Sequence, residues 1–338
     1  MTSVKEIRVD APPEDGLGRG RFYFTDAYSV FDWGQMPDDV PEKGASLCTM
    51  GADNFESLEA AGVDTHYRGV VVDGAAVPLD EAETPPREMA VALARVPDLP
   101  HTGEGYDYDA FHEAAGAHYL VPLEVVFRNT VPPGSSLRRR TDPADHGLPF
   151  ESWPAETVEL EDPIVEFSTK FEEGDRYLTR AEAARIAGRA DLDAVETVAR
   201  EVNAHVTDRA QEAGFEHLDG KIEVVYDAGD LLVADVVGTF DENRFSYEGV
   251  QVSKEVVRQY YRHAQPAWVE AVSEAKATAK ARGLADWKPL CDREPDPLPP
   301  DVLGAVRDLY AAGANAYTGR DWFDAPDVGA AVDAVRDL

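Results

Sequence analysis

The apolar positions of the chain change their spacing from one segment to the next. A spacing near 3.6 residues predicts helices over 44–62, 192–213 and 253–283. β-Branched and aromatic runs predict strands over 70–74, 89–96 and 118–129. Short helices are also predicted near 301–312 and 325–338. Helices and strands mix without a steady βαβ rhythm, which favours an α+β fold over a doubly wound sheet.

Turn and capping residues mark the ends of several elements. Residues 217–238 predict a hairpin whose two apolar strands join through the turn at 227–230. Thr179 and Glu182 have the spacing of a capping box and predict the start of a helix. Residues 97–118 are rich in Gly, His and Asp with little periodicity, so they predict an exposed insertion.

The charge balance excludes several classes of partner. The 338 residues include 65 acidic and 32 basic side chains, a net charge of −33, which would repel nucleic acid. No apolar run approaches the ~20 residues that span a bilayer, and the first ten residues lack the apolar stretch of a signal peptide. The two cysteines make neither a disulfide framework nor a zinc cluster. We therefore expect a cytoplasmic protein without a membrane partner.

Lysine is scarce in this chain. Only eight of the 32 basic residues are Lys, and the other 24 are Arg. We interpret the acid excess with few lysines as adaptation to a salt-rich cytoplasm, and an ordinary acidic protein is the alternative. The lysines that persist are expected where a positive point charge is needed. Half of them lie within the motifs described below: Lys43, Lys170, Lys221 and Lys254.

The predicted hairpin has charged residues on one strand face. Alternate residues of a strand share a face, which places the carboxylates of Asp219 and Glu223 on either side of Lys221. Asp235 on the partner strand can reach the same face. Carboxylates that meet a lysine suit Mg²⁺ bridging nucleotide phosphates. A solvated face with surface ion pairs is the alternative.

Two loops have residues that suit an anion. The loop from Gly16 to Arg21 sets three glycines and two arginines just before a strand, where N–H groups and guanidinium can meet phosphate. It matches neither common nucleotide-binding fingerprint, so an ordinary flexible turn is the alternative. Arg128 ends a strand, and the Pro-Gly loop after it presents Ser135. This second loop predicts a cradle for phosphate or carboxylate.

Taken in order, seven segments resemble the SAICAR synthetase family of purine biosynthesis, over roughly residues 16–262. The matching segments are RGR at 19–21, TDAYSVFD at 25–32 with KG at 43–44, VPLEVVFRN at 121–129 with GS at 134–135, PIVEFSTK at 163–170, LDGKIE at 218–223, Asp235 with Asp241 and Arg244, and SK at 253–254 with Arg258. The resemblance implies an α+β fold with an antiparallel-sheet nucleotide lobe and a second α+β lobe, around an ATP cleft of the ATP-grasp or kinase type. It implies a nucleotide lobe over 1–120, a substrate and metal lobe over 121–285, and a Pro-rich linker with short helices over 286–338.

The resemblance also implies an activity and a site. It implies an ATP-dependent ligase that couples the carboxylate of CAIR to L-aspartate and yields SAICAR, ADP and phosphate. Nucleotide binding is implied for Arg19, Gly20, Arg21, Lys170 and Lys221, the last two being catalytic. CAIR binding is implied for Arg128, Ser135, Asp241 and Arg244. Mg²⁺ binding is implied for Glu223 and Asp235, and the protein could form a homo-oligomer.

Two other functions stay open on the sequence. A related ATP-dependent phosphotransferase or ligase that acts on a different carboxylate or amine would keep the nucleotide residues and lose the need for Arg128, Ser135 and Arg244. The second alternative is a non-catalytic nucleotide-binding relative. It stays open because Val236 stands where the family usually has an acidic residue beside Asp235.

The salt interpretation predicts a large effect of KCl on stability. Repulsion among the acidic side chains is screened when the Debye length falls from about 10 Å at about 0.1 M salt to about 3 Å at about 1 M. The midpoint of thermal unfolding is therefore expected to rise strongly between about 0.1 M and about 2 M KCl. Equal midpoints at the two concentrations would contradict the interpretation.

Overall fold

The structure, a computed structural model, describes residues 4–103, 105–284, 286–336 and 338. Positions 1–3, 104, 285 and 337 lie outside the described residues. Position 104 belongs to the predicted insertion, 285 to a predicted lobe boundary and 337 to the last predicted helix. Within the described residues the chain forms two antiparallel sheets and eight α-helices, which confirms the predicted α+β class.

Five strands form the first sheet: β1 (Lys5–Ala11), β2 (Gly18–Phe24), β3 (Tyr67–Val72), β4 (Ala75–Val77) and β5 (Glu88–Leu93). Their spatial order is β1-β2-β5-β3-β4. Burial alternates along β2, whose residues Phe22 and Phe24 belong to the main apolar core. Helix α1 (Lys43–Ala60) packs against this face through residues such as Leu47 and Phe55.

Seven strands form the second sheet: β6 (His118–Leu120), β7 (Leu123–Val131), β8 (Val158–Thr169), β9 (Glu216–Asp227), β10 (Asp230–Ala234), β11 (Asn243–Tyr247) and β12 (Val250–Gln251). The order is β12-β11-β9-β7-β8, and β6 and β10 pair with the second half of β9. The long strand β9 is therefore central, since β7 and β11 flank its first half.

The remaining helices are α2 (Tyr108–Ala115), α3 (Arg180–Ala187), α4 (Leu192–Glu212), α5 (Glu255–Ala264), α6 (Pro266–Arg282), α7 (Pro300–Thr318) and α8 (Val328–Arg336). Single 3₁₀ turns lie at Leu79–Glu81, Leu137–Arg139, Pro143–His146 and Lys288–Leu290. Helix α4 packs on the second sheet, whereas α7 packs on α1. None of the helices in the described part of the chain is long and apolar enough to cross a membrane.

Local signals set the boundaries that were predicted well. The capping box forms, because Thr179 Oγ1 accepts from the Glu182 N–H and the Glu182 carboxylate accepts from the Thr179 N–H. The hairpin turn also forms: Ala228 and Gly229 have φ values of 53° and 126°, which suit a tight connection between β9 and β10.

Prolines divide two elements that the sequence predicted as continuous. The strand predicted over 118–129 is two strands, β6 and β7, separated at Pro122, which has no N–H for a ladder. The helix predicted over 253–283 is also two, because Pro266 lacks the N–H that would continue α5 and instead starts α6.

The prediction of an exposed insertion over 97–118 is wrong for its second half. Helix α2 lies within it, and its side chains Tyr108, Phe111 and Ala115 are buried in the main core at helical spacing. The stretch predicted as irregular over 141–162 likewise ends inside a strand, since β8 starts at Val158. Helix α2 is ordered by the burial of these three side chains in the core, and β8 by its pairing with β7.

Candidate active site

One face of four neighbouring strands, β8, β7, β9 and β11, forms the floor of the candidate site. Arg128 of β7 and Arg244 of β11 lie directly opposite Asp219 of β9, on its two sides. Because side chains alternate between faces, Lys221 and Glu223 share the face of Asp219. The floor therefore has cations and carboxylates from several strands on one surface.

Lys221 lies at the centre of this floor, within 4 Å of four carboxylates. Its Nζ is 3.0 Å from Glu242 Oε2, 3.4 Å from Glu124 Oε1, 3.7 Å from Glu223 Oε1 and 3.8 Å from Asp235 Oδ2. Burial alone would lower the pKa of Lys221, but the charges of Glu242 and Glu223 hold that pKa well above its usual value. Lys221 is therefore a permanent cation at the middle of the floor.

Two further lysines pair with the same carboxylates. Lys170, directly after β8, pairs with Glu223, and Lys5 of β1 pairs with Asp235. Burial lowers the pKa of Lys5 to about 8, against the attraction of nearby carboxylates. Burial would raise the pKa of Glu223, yet the neighbouring lysine charges lower it below its usual range. Since Lys5 belongs to the first sheet, the two sheets meet at this cluster.

The cluster contains four carboxylates and three lysines. Burial would raise the pKa of Glu242, but the charge of Lys221 dominates and lowers it to about 2, whereas burial raises the pKa of Glu124. Carboxylate oxygens are the ligands that Mg²⁺ prefers. Among the described residues no three His, Cys, Asp or Glu side chains converge as a metal site, and a lysine holds each expected ligand, Glu223 and Asp235.

The backbone at Asp235 is held in an unusual conformation. Its φ of 67° lies in the left-handed region, which few residues other than glycine adopt. His66 Nε2 lies 3.1 Å from the Asp235 carbonyl oxygen, and burial lowers the pKa of His66 to about 3. The ring is therefore neutral near pH 7, with Nε2–H as the donor. This contact stabilises the turn that directs the Asp235 carboxylate toward Lys5 and Lys221.

Three arginines gather at the other end of the floor. Arg128 Nε is 2.7 Å from Glu166 Oε2, Arg140 Nη1 is 2.7 Å from Glu166 Oε1, and Arg244 Nε is 2.7 Å from Asp219 Oδ1. Three guanidinium groups against two carboxylates leave a net positive charge. Such a group suits a phosphate or carboxylate ligand.

The loop of Ser135 lies beside these arginines. Arg140 stacks on the Tyr177 ring, with its guanidinium carbon 3.4 Å from the ring centre, and its Nη2 donates to Ser136 Oγ at 3.4 Å. Ser135 is buried, and its Oγ accepts from the Leu137 N–H at 3.3 Å. The structure therefore brings the expected residues Arg128, Ser135 and Arg244 to the same end of the floor.

Asp241, the fourth residue expected to bind CAIR, makes a buried ion pair instead of facing the arginines. Lys43 Nζ, at the start of α1, is 2.6 Å from Asp241 Oδ2. Burial would raise the pKa of Asp241, but the Lys43 charge lowers it below its usual range. Asp241 directly precedes Glu242, so it lies at the border of the lysine–carboxylate cluster.

Arg19 and Arg21 do not lie at the lysine–carboxylate cluster, and nucleotide binding by Arg19, Gly20 and Arg21 stays a prediction. Arg19 is exposed, and Arg21 bonds to Asp10 on the face of β2 that points away from the core. A Cβ on Gly20 would lie 2.6 Å from the Arg8 carbonyl oxygen. Gly20 is therefore required for close packing of β1 and β2, and it shares the sheet face of Val9.

Sequence reasoning missed four residues of the site: Lys5, Glu124, Arg140 and Glu242. Signals for three of them existed. Lys5 is one of the eight scarce lysines, Glu124 lies inside the matched segment VPLEVVFRN, and Arg140 belongs to the run of three arginines at 138–140. Glu242 had no signal other than its place next to Asp241.

A buried polar network lies under the floor, on the opposite face of β9. Asn243 Oδ1 accepts from the Gly238 N–H, so its Nδ2 donates to His217 Nε2 at 2.9 Å. His217 Nδ1 then has the proton and lies 2.9 Å from Thr207 Oγ1. Burial lowers the pKa of His217 to about 4, in keeping with a neutral ring. The network fixes the strands that present the arginines.

Comparison with known proteins identifies the family. The family model described as SAICAR synthetase matches residues 14–275. A protein of Archaeoglobus fulgidus, provisionally named phosphoribosylaminoimidazole-succinocarboxamide synthase, is 42% identical over 347 aligned positions that cover 100% of this chain and 99% of the relative. The synthase of Thermoplasma volcanium is 31% identical and covers 89% of this chain and 93% of its own.

Solved structures share the fold. The SAICAR synthase of Saccharomyces cerevisiae, complexed with SAICAR, has a TM-score of 0.62 at 23% identity and covers 95% of this chain and 94% of its own. A SAICAR synthetase in complex with ADP has a TM-score of 0.52 at 22% identity, with coverage of 76% and 88%.

The neutral state of His217 predicts acid sensitivity. Its folded pKa of about 4 lies below the unfolded value of 6.5, so only the unfolded chain gains this proton as the pH falls through that window. Stability from this group is present above about pH 6.5 and is lost toward pH 4. Between pH 6 and pH 5 the wild type is expected to lose about 1 kcal/mol more than His217→Gln, measured by urea unfolding at one salt concentration. Equal losses in the two proteins would show that His217 titrates normally.

Proposed function

This chain belongs to the SAICAR synthetase family, and we propose from this premise that it is the ATP-dependent ligase that joins CAIR to L-aspartate and yields SAICAR, ADP and phosphate. The observation that supports the proposal best is the single floor on which lysines, carboxylates and arginines from four strands lie together. All three substrates are anionic. On a chain of net charge −33, this floor supplies local cations that can bind them.

We assign the nucleotide phosphates to the lysine–carboxylate cluster. Lys5, Lys170 and Lys221 already have carboxylate partners, and phosphate oxygens can replace those partners. The exposed arginines of β2 are left out of this assignment. The carboxylate donors fit Mg²⁺, and Glu223 with Asp235 would hold it. When bound, Mg²⁺ would supply positive charge that offsets the charge of the phosphates.

We assign the nucleotide base to an apolar surface next to these lysines. Ile7 and Val9 share the face of β1 with Lys5, and they are 56% and 59% exposed, which is unusual for such side chains. At the far end of the same hairpin, Leu17 packs on the small apolar cluster that contains Leu232. A flat base bound between Lys5 and Leu17 would cover these exposed apolar side chains.

The three arginines are the proposed site of the phosphate of CAIR. Arg128, Arg140 and Arg244 can each offer a planar pair of N–H donors, which matches a phosphate better than a single ammonium does. A phosphotransferase with a different acid substrate would not need this group. The arginine group therefore favours the ligase over that alternative.

The proposed reaction has two steps. A CAIR carboxylate oxygen attacks the γ-phosphorus of ATP and the bond to ADP breaks, which gives an acyl phosphate. The aspartate amine then attacks the acyl carbon, phosphate leaves, and the amine loses a proton. The lysines offset the charge of the transferred phosphoryl group, and the floor holds the two reactants in line. We also propose that this takes place in a salt-rich cytoplasm.

The activity can be measured directly with purified protein in molar KCl. ATP, Mg²⁺, CAIR and aspartate are mixed, and ADP release is followed together with the ultraviolet absorbance of the product. We expect ADP release that requires both CAIR and aspartate. ADP release without aspartate, but with another amine, would favour the related ligase. Mg²⁺-dependent ATP binding with no turnover would favour the non-catalytic relative.

A pair of variants distinguishes the cluster from the glycine-arginine loop. Lys5→Met removes a cation from the cluster, whereas Arg19→Met removes one from the exposed face of β2. We expect Lys5→Met to lower kcat/KM for ATP by about 100-fold or more, the size of losing one charge-stabilising donor. Arg19→Met is expected to stay within about twofold of wild type. The reverse order of the two effects would restore the sequence interpretation.

A further inference from the structure

Helix α7 packs next to the border of the candidate active site. We propose that Tyr310 of α7 is a positioning residue that acts through Asp241 and Glu242 on the lysine–carboxylate cluster and sets the affinity for ATP. This inference rests on the proposed function. It assigns a role to a helix that lies outside residues 14–275, the part of the chain that matches the family model.

Tyr310 and Lys43 hold the two oxygens of one carboxylate. The Tyr310 hydroxyl donates to Asp241 Oδ1 at 2.8 Å, and Lys43 Nζ lies 2.6 Å from Asp241 Oδ2. Tyr310 and Lys43 are each 1% exposed, and Asp241 is 8% exposed. Lys43 Nζ also lies 5.5 Å from the centre of the Tyr310 ring. With both oxygens held by buried donors, the carboxylate cannot rotate without leaving a polar group unpaired.

The helix fits closely against the segment that contains this carboxylate. A Cβ on Gly313 would lie 2.2 Å from the ring of Phe240, so only glycine allows α7 to come this near. Phe240 also makes an edge contact with the ring of Tyr310, at 5.8 Å between centres. Residue 240 directly precedes Asp241, so α7 fixes both the backbone and the side chain at this point.

The next residue connects this contact to the lysine–carboxylate cluster. Asp241 is directed toward α7, whereas Glu242 is directed toward Lys221, whose Nζ lies 3.0 Å from Glu242 Oε2. Small cavities lie on two sides of Asp241, one lined by Ser29 and Lys254 and the other by Lys5 and Glu242. The carboxylate of Asp241 therefore lies between α7 and the residue that contacts Lys221, and its position fixes where Glu242 lies.

A second tyrosine of α7 provides a matched control. Tyr317 is buried two turns further along, and its hydroxyl donates to Asn54 Oδ1 at 2.9 Å instead of to an acidic residue. Tyr310→Phe and Tyr317→Phe each remove one buried hydroxyl from the same helix. A purely structural role of Tyr310 would give the two variants the same kinetics.

The experiment measures steady-state kinetics and thermal unfolding of the wild type and both variants in molar KCl. Tyr310→Phe is expected to raise KM for ATP about tenfold or more, because a hydrogen bond to a charged acceptor is lost beside the cluster. Its kcat and its KM for CAIR should stay within about twofold, and so should all constants of Tyr317→Phe. The inference is overturned if KM for ATP is unchanged in Tyr310→Phe, or if it rises equally in both variants. An inactive wild type would overturn the ligase proposal and this inference with it, whereas an active wild type with a normal Tyr310→Phe variant overturns the inference alone.

Discussion

The pairing of buried lysines with buried carboxylates around Lys221 is the interaction on which the structure of the cleft depends. A carboxylate taken out of water costs several kcal/mol unless a cation and hydrogen bonds compensate it. Glu223, Asp235 and Glu242 meet that condition only because Lys5, Lys170 and Lys221 lie between them. Removal of one lysine leaves an uncompensated charge. This gives a physical reason for lysines at these positions in a chain whose basic residues are mostly arginine.

The same pairing joins parts of the chain that are far apart in sequence. The first sheet contributes Lys5, helix α1 contributes Lys43, and the second sheet contributes the floor. Helix α7 packs on α1 and bonds to Asp241, so it holds the boundary between the two sheets. Carboxylates of the second sheet that lie close together are neutralised by lysines that come from other elements. The cleft is therefore built by tertiary contacts more than by any local motif.

The sequence predicted the parts of the site that a single strand determines. Alternation along β9 placed Asp219, Lys221 and Glu223 on one face, and the turn after Asp227 returned Asp235 to it. The position of Lys5 could not be predicted in this way, because it depends on how the first sheet docks on the second. Arg19 and Arg21 were predicted to lie in a loop before a strand, but β2 already begins at Gly18, and the sequence does not say which face of β2 packs on α1. Helix α2 was missed because it is only eight residues long and lies in a segment rich in Gly, His and Asp, although its three buried side chains have helical spacing.

A crystal structure of the protein with ADP and Mg²⁺, grown at high salt, tests the central claim most directly. The account predicts that the phosphates lie within hydrogen-bond distance of at least two of Lys5, Lys170 and Lys221, with the metal on Glu223 or Asp235. The account would be contradicted by phosphates bound to Arg19 and Arg21 on the outer face of β2, with the lysine–carboxylate pairs unchanged.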